Sequence, residues 1–120
     1  MDWPGNSGVW FRFQGPDRAY QADILEWKNP AAWSGTLYAG GRTFLAANPD
    51  PSIVSRDGWN TFNVRARKDR LSVRLNGRLV ADVRDAGPSR GRIGFQVHAG
   101  AEFRKMAIRI ARAAIRPAKD

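Results

Sequence analysis

Apolar residues recur at every second position through most of the chain, the period of strands rather than helices. Val9, Phe11 and Phe13 alternate with Trp10, Arg12 and Gln14; Tyr20, Ala22 and Ile24 alternate with Gln21, Asp23 and Leu25. In "GRIGFQVHAG", Ile93, Phe95 and Val97 alternate with Arg92, Gly94, Gln96 and His98. The first set in each segment predicts a core face and the second an opposite face. Turn signals such as "GPD" separate the segments, and Asn76-Gly77 predicts a type I′ hairpin with Val73 opposite Val80 and Leu71 opposite Asp82.

The remaining segments are less regular. A loop, "EWKNPAAWSG", leads into a short strand, "TLYAG", and a polar loop, "AANPDPSIVSRDG", ends at Trp59. "AEFRKMAIRI" predicts a last strand. Phe103 differs in parity from Met106, Ile108 and Ile110, so a bulge is expected near Arg104 or Lys105. Seven or eight short antiparallel strands argue for an all-β fold, a β-sandwich, with a small barrel as the alternative. Residues 1–110 are expected to form this single domain and residues 111–120 a tail, in which Pro117 ends any helix.

Composition narrows the classes. At 120 residues and 42% apolar content, the chain can bury a packed core. It has no cysteine, so neither a disulfide nor a thiolate metal site holds the fold. No apolar run approaches the ~18 residues of a membrane helix, so no membrane insertion is expected. "MDWPGNSG" does not have the form of a signal peptide. The formal net charge is +9, and 16 of the 20 basic residues are arginine. Eight arginines lie between Arg65 and Arg92, interspersed with Asp69, Asp82 and Asp85. That mixture predicts a solvated sheet surface ahead of a polyanion-binding face, and nucleic acid is not an expected partner.

The candidate chemistry lies on the second set of alternating positions: Trp10, Arg12, Gln14, Gln21, Asp23, Gln96 and His98. Aromatic rings support the C–H faces of sugars, while amides and carboxylates read hydroxyl groups, so a saccharide ligand is expected. Asp23 can simply pair with Arg12. His98, the only histidine, can shuttle a proton near neutrality or act as a hydrogen-bonded structural residue. Trp27, Trp33 and Trp59 are expected to be core or loop anchors. Phosphate-loop, serine-nucleophile and metal-ligand spacings are missing, so no cofactor or metal is expected.

Six phrases in order, "GNSGVWFR", "YQADILE", "SGTLY", "GWNTFNVRA", "LNGRLVAD" and "GRIGFQVHAGAEFRKMAIR", resemble the 3-keto-disaccharide hydrolase domain family over roughly Gly5 to Arg109. The resemblance implies a concanavalin A-like jelly roll and a bacterial, periplasmic or secreted setting. It also implies substrates that are sugars oxidised at C3. Asn6, Ser7 and Gly8 match the family's Asn-Ser-Gly turn, Arg12 its following arginine, and Gln96 and His98 its Gln-x-His. On that basis Asn6, Ser7, Trp10, Arg12, Gln21 and Gln96 are expected to bind substrate, Arg12 by stabilising an enolate. His98 and Asp23 are expected to be catalytic.

Two departures stand out. The family's strand commonly reads Tyr-Glu-x-Gln-Ile-x-Asp, whereas this chain reads Tyr20-Gln21-Ala22-Asp23-Ile24-Leu25-Glu26. Acid and amide are exchanged, which moves the carboxylate about two residues, roughly 7 Å, along one face. The chain also begins almost at the Asn-Ser-Gly turn, where the family has earlier strands. A shortened jelly roll with open sheet edges, favouring homo-oligomers, is the expectation. A lectin-like glycan-binding module is the alternative to an enzyme.

Overall fold

The computed structural model describes residues 6–28 and 31–96, with the side chains at positions 6, 27 and 28 left aside. Eight strands form in chain order: β1 Asn6–Gly15, β2 Arg18–Lys28, β3 Ala31–Ala39, β4 Thr43–Asn48, β5 Phe62–Arg67, β6 Arg70–Leu75, β7 Arg78–Arg84 and β8 Arg92–Phe95. They make two antiparallel sheets, one ordered β4-β3-β2-β1-β8 and the other β5-β6-β7. Among the described residues there is no α-helix, only a 3₁₀ turn at Pro51–Ile53, capped by Asp50 accepting from the Ser52 backbone N–H. The fold is a β-sandwich, as the alternation predicts.

The core forms where the two inner faces meet. Phe11, Tyr20, Ala22, Leu37 and Ala39 from the large sheet pack against Leu71, Val73 and Ala81 from the small one. Each of these side chains leaves water almost completely, which drives sheet-on-sheet association. Polar ties reinforce the packing. Tyr20 Oη donates to Asp85 Oδ2 at 2.6 Å, and the Arg42 guanidinium grips the same carboxylate at 2.6 and 3.1 Å. Burial and the Asp85 bond raise the Tyr20 phenol to about 12, while Arg42 above all holds Asp85 down at about 2.

The small sheet covers β3 and β4 and leaves β8 beyond its edge. Ile93 and Phe95, expected in the core, are therefore 48% and 41% exposed: their alternation is correct but no strand of the small sheet faces them. Val97 and the expected last strand lie outside the described residues, as do the bulge near Arg104 or Lys105 and the tail.

Other expectations are corrected locally. "EWKNPAAWSG" is a hairpin, not a loop: Glu26, Trp27 and Lys28 pair with Trp33, Ala32 and Ala31. β4 occupies a stretch with no predicted strand. The Asn76-Gly77 turn does have positive φ at both residues, 51° and 81°, as type I′ requires. The register then shifts after Leu79, so Val73 faces Ala81 and Leu71 faces Val83. The shift turns Val80 toward Gly35, close enough that a Cβ there would sit 3.0 Å from its methyl group.

Candidate functional site

The site is built on the face of the large sheet that looks away from the core. Cross-strand pairing aligns it: Gly8 opposes Asp23, Trp10 opposes Gln21 on one side and Gly94 on the other, and Gln21 opposes Tyr38. Neighbours across a ladder share a face, so Trp10, Gln21, Asp23, Tyr38, Gly94 and Gln96 belong to one surface. Of the residues expected from sequence, Trp10, Gln21, Asp23 and Gln96 are brought together here.

A bulge decides what joins them. The pairings of β1 with β2 and with β8 both shift register between Trp10 and Gly15, and Arg12 sits in the left-handed region at φ 50°. The extra residue reverses the alternation beyond it. Phe13, expected in the core, packs its ring edge-on against Trp10 at 5.5 Å between centroids. Arg12, expected on the site face, instead donates Nη1 to the Lys68 carbonyl at 2.6 Å and approaches the Pro88 carbonyl at 3.5 Å. Its guanidinium ties β1 to the β5–β6 turn and is not available to an enolate on the opposite face.

Aromatic rings then run across the sheet in a row: Phe13 to Trp10, Trp10 to Tyr38 at 6.4 Å, and Tyr38 to Phe44 at 5.9 Å. Tyr38 and Phe44 were not foreseen as part of this face. Their signal was their alternation with the core residues Leu37 and Leu45, visible once β3 and β4 are known as paired strands.

Two amides cross the row. Gln21, 3% exposed, donates Nε2 to Gln96 Oε1 at 2.7 Å. The link passes over β1 at Gly8, where a Cβ would lie 2.5 Å from Gln21 Nε2. Gln96 is also held by its backbone, with its N–H donating to the Gly8 carbonyl at 3.0 Å and its carbonyl accepting from Ser7 Oγ at 2.7 Å. Ser7 is buried and serves this anchoring, on the opposite side of β1 from the aromatic row. Asn6 begins β1 opposite Leu25, and its side chain is not among those described. Gln14, another member of the expected set, is exposed and donates to the Arg90 carbonyl at 2.7 Å.

Asp23 is the unusual residue. It is 4% exposed, and no hydrogen bond or ion pair reaches its carboxyl among the described residues; Arg12 is engaged elsewhere. Burial alone raises its pKa from 3.8 to about 8. No fully sealed side-chain oxygen or nitrogen lacks a partner among the described residues, so the Asp23 oxygens still reach the surface at their tips. An unpartnered buried carboxyl with an open tip is a group poised to exchange a proton near neutrality.

Beside Trp10 the face opens into a shallow depression of about 390 Å³, lined by Trp10, Phe13 and residues 92–96, among them Arg92, Phe95 and Gln96. No group of three or more acidic or histidine side chains able to hold a metal occurs among the described residues. His98 lies outside the described residues. On the other side of the molecule, the small sheet presents Arg65, Arg70, Arg74 and Arg84 outward; Arg70 pairs with Asp82 at 2.8 Å and Arg84 with Asp69 at 2.6 Å. Trp33 is half-buried, and Trp59 is exposed.

A family model described as 3-keto-alpha-glucoside-1,2-lyase-like domain matches residues 1–109. No curated protein and no solved structure matches the chain.

Proposed function

The chain belongs to the 3-keto-alpha-glucoside-1,2-lyase-like domain family, and from that membership we propose that it cleaves 3-keto-glycosides on the aromatic face of its large sheet. The observation that carries the proposal is Asp23: a buried carboxyl, unpartnered among the described residues, with its pKa raised to about 8, set beside aromatic rings and a pair of amides. Ordinary glycosidases need two carboxyl groups flanking the scissile bond. Among the described residues this face carries one.

A single base suffices when the sugar bears a ketone at C3, because the ketone acidifies the hydrogen on C2. Asp23 takes that proton, and the electron pair becomes the C1=C2 double bond as the C1–O bond breaks. His98 gives a proton to the departing oxygen. Water then adds across the double bond, so the net change is hydrolysis. The amide N–H groups of Gln21 and Gln96 not used in their mutual bond donate to the enolate oxygen or to neighbouring hydroxyls. Trp10 and Tyr38 carry the C–H face of the ring.

Such a site suits turnover at near-neutral pH, since a catalytic group works best with a pKa near the working pH. A non-catalytic glycan-binding module is the second reading, favoured by the length of the aromatic row. The test is release of the leaving group from a 3-keto-glucoside by the whole chain. Turnover that falls about 100-fold or more in Asp23→Asn and in His98→Ala, the usual scale for a general acid or base, supports the proposal. Turnover unchanged in both variants overturns the site. Calorimetric saccharide binding without turnover, lost about tenfold in Trp10→Ala, supports the binding module.

A further inference from the structure

The depression beside Trp10 contains a charge that a neutral sugar does not need. Arg92 stands opposite Phe13 across the β1–β8 ladder and shares its side of β8 with Gly94 and Gln96. Six other arginines are engaged. Arg42, Arg56, Arg70 and Arg84 hold carboxylates, Arg12 holds backbone carbonyls and Arg18 holds the Gln14 amide. Arg92 has no acidic or carbonyl partner among the described residues, and it faces a concavity walled by two aromatic rings.

We propose that Arg92 binds a carboxylate on the leaving-group side of the substrate, so that the preferred substrates are 3-keto-glycosides whose leaving group is acidic. This rests on the reading of Asp23 as the centre of the reaction. Spacing sets where the carboxylate must be. Asp23 lies beside Gly8, which hydrogen-bonds Gln96, and Arg92 is four residues back along β8. Two strand spacings and four residues of strand put the backbones ~16 Å apart. With the short Asp23 side chain standing off the sheet and only the longer Arg92 side chain leaning toward it, roughly 10 Å remains, more than one sugar ring held over Asp23 would fill. The group that meets Arg92 is therefore on the next unit, the one expelled from C1.

The guanidinium suits this role. Its planar fork matches a carboxylate through two parallel hydrogen bonds. The neighbouring Phe13 and Trp10 rings lower the local exposure to water and favour a flat, aromatic or pyranose leaving group laid against them.

The test compares an anionic substrate with a neutral one of nearly the same shape: the 3-keto-α-glucoside of 4-hydroxybenzoate and that of its methyl ester. With wild-type protein and Arg92→Gln, kcat/KM is measured for both at low and at high salt. The expected result is that Arg92→Gln lowers the acid-to-ester ratio of kcat/KM about tenfold, through the KM of the acid. High salt should narrow the ratio in wild type only. Both substrates cleaved with a ratio that Arg92→Gln leaves unchanged overturns the inference and leaves the proposed function standing. Neither substrate cleaved by wild type overturns the proposed function, and this inference with it.

Discussion

Gln21, on β2, hydrogen-bonds Gln96, which directly follows β8, at 2.7 Å although β2 and β8 are not neighbours. The bond exists because β1, which lies between them, presents Gly8 at the crossing point. The missing side chain is the space through which the two amides meet.

Gly8→Ala is therefore expected to push Gln21 aside and to lower kcat/KM about tenfold, with a loss of about 1–3 kcal/mol in stability from overpacking. Adding Gln21→Ala should restore most of the stability by vacating the space, without restoring turnover. Chemical denaturation and steady-state kinetics on the same three variants check both halves. Recovery of activity in the double variant would assign the amide bridge a purely structural role.

The pH dependence of the reaction follows from Asp23. Burial raises its carboxyl to about 8, so the basic form is scarce at pH 6 and dominant at pH 9. With Asp23 as the base and His98 as the acid, the expected profile of kcat/KM is a bell, rising on its acid side and falling on its alkaline side. A rate independent of pH between 6 and 9 would remove Asp23 as the proton acceptor.

The same shift has a signature in stability. The folded carboxyl holds its proton more tightly than the unfolded one, whose pKa is near 3.8. Stability is then fully present below about pH 4 and falls as pH rises toward 8, after which this contribution is constant. At ~1.4 kcal/mol per pKa unit the decline is on the order of several kcal/mol. Asp23→Asn, which cannot ionise, should flatten the decline and be the more stable protein at pH 8. Urea midpoints at pH 5, 6.5 and 8 test this, and parallel decline in both proteins would contradict it.

At the other end of the pH scale the tie between Tyr20 and Asp85 dominates. Arg42 first, and Tyr20 with it, hold the Asp85 carboxyl at about 2. Its contribution is thus present above about pH 4 and lost as pH falls toward 2. Tyr20→Phe should cost about 1–2 kcal/mol at neutral pH, one buried hydrogen bond to a charged group. Asp85→Asn should lose part of the acid-side slope. Equal acid sensitivity of Asp85→Asn and wild type would show that the carboxylate is not stabilised as described.

What could be read from the sequence was what depends on period and on local chain geometry. Alternation located Val9, Phe11, Tyr20 and Ala22 on one face and Trp10, Gln21, Asp23 and Gln96 on the other, because successive strand residues point to opposite sides whatever they pack against. Asn76-Gly77 announced its turn because few residue pairs accept two positive φ values. The ordered phrases from Gly5 to Arg109 identified the family, and the family model agrees over residues 1–109.

Tertiary structure decided the rest. One bulged residue, Arg12, moved its own guanidinium out of the site and brought Phe13 in, and nothing in a pattern of apolar and polar letters marks where a ladder slips. The aromatic row joins strands distant in sequence, from Phe13 to Phe44. The chemical character of Asp23 is also a tertiary property: its carboxyl is ordinary in the unfolded chain, and exclusion from water, with no cation among the described residues brought to meet it, makes it a base for neutral pH.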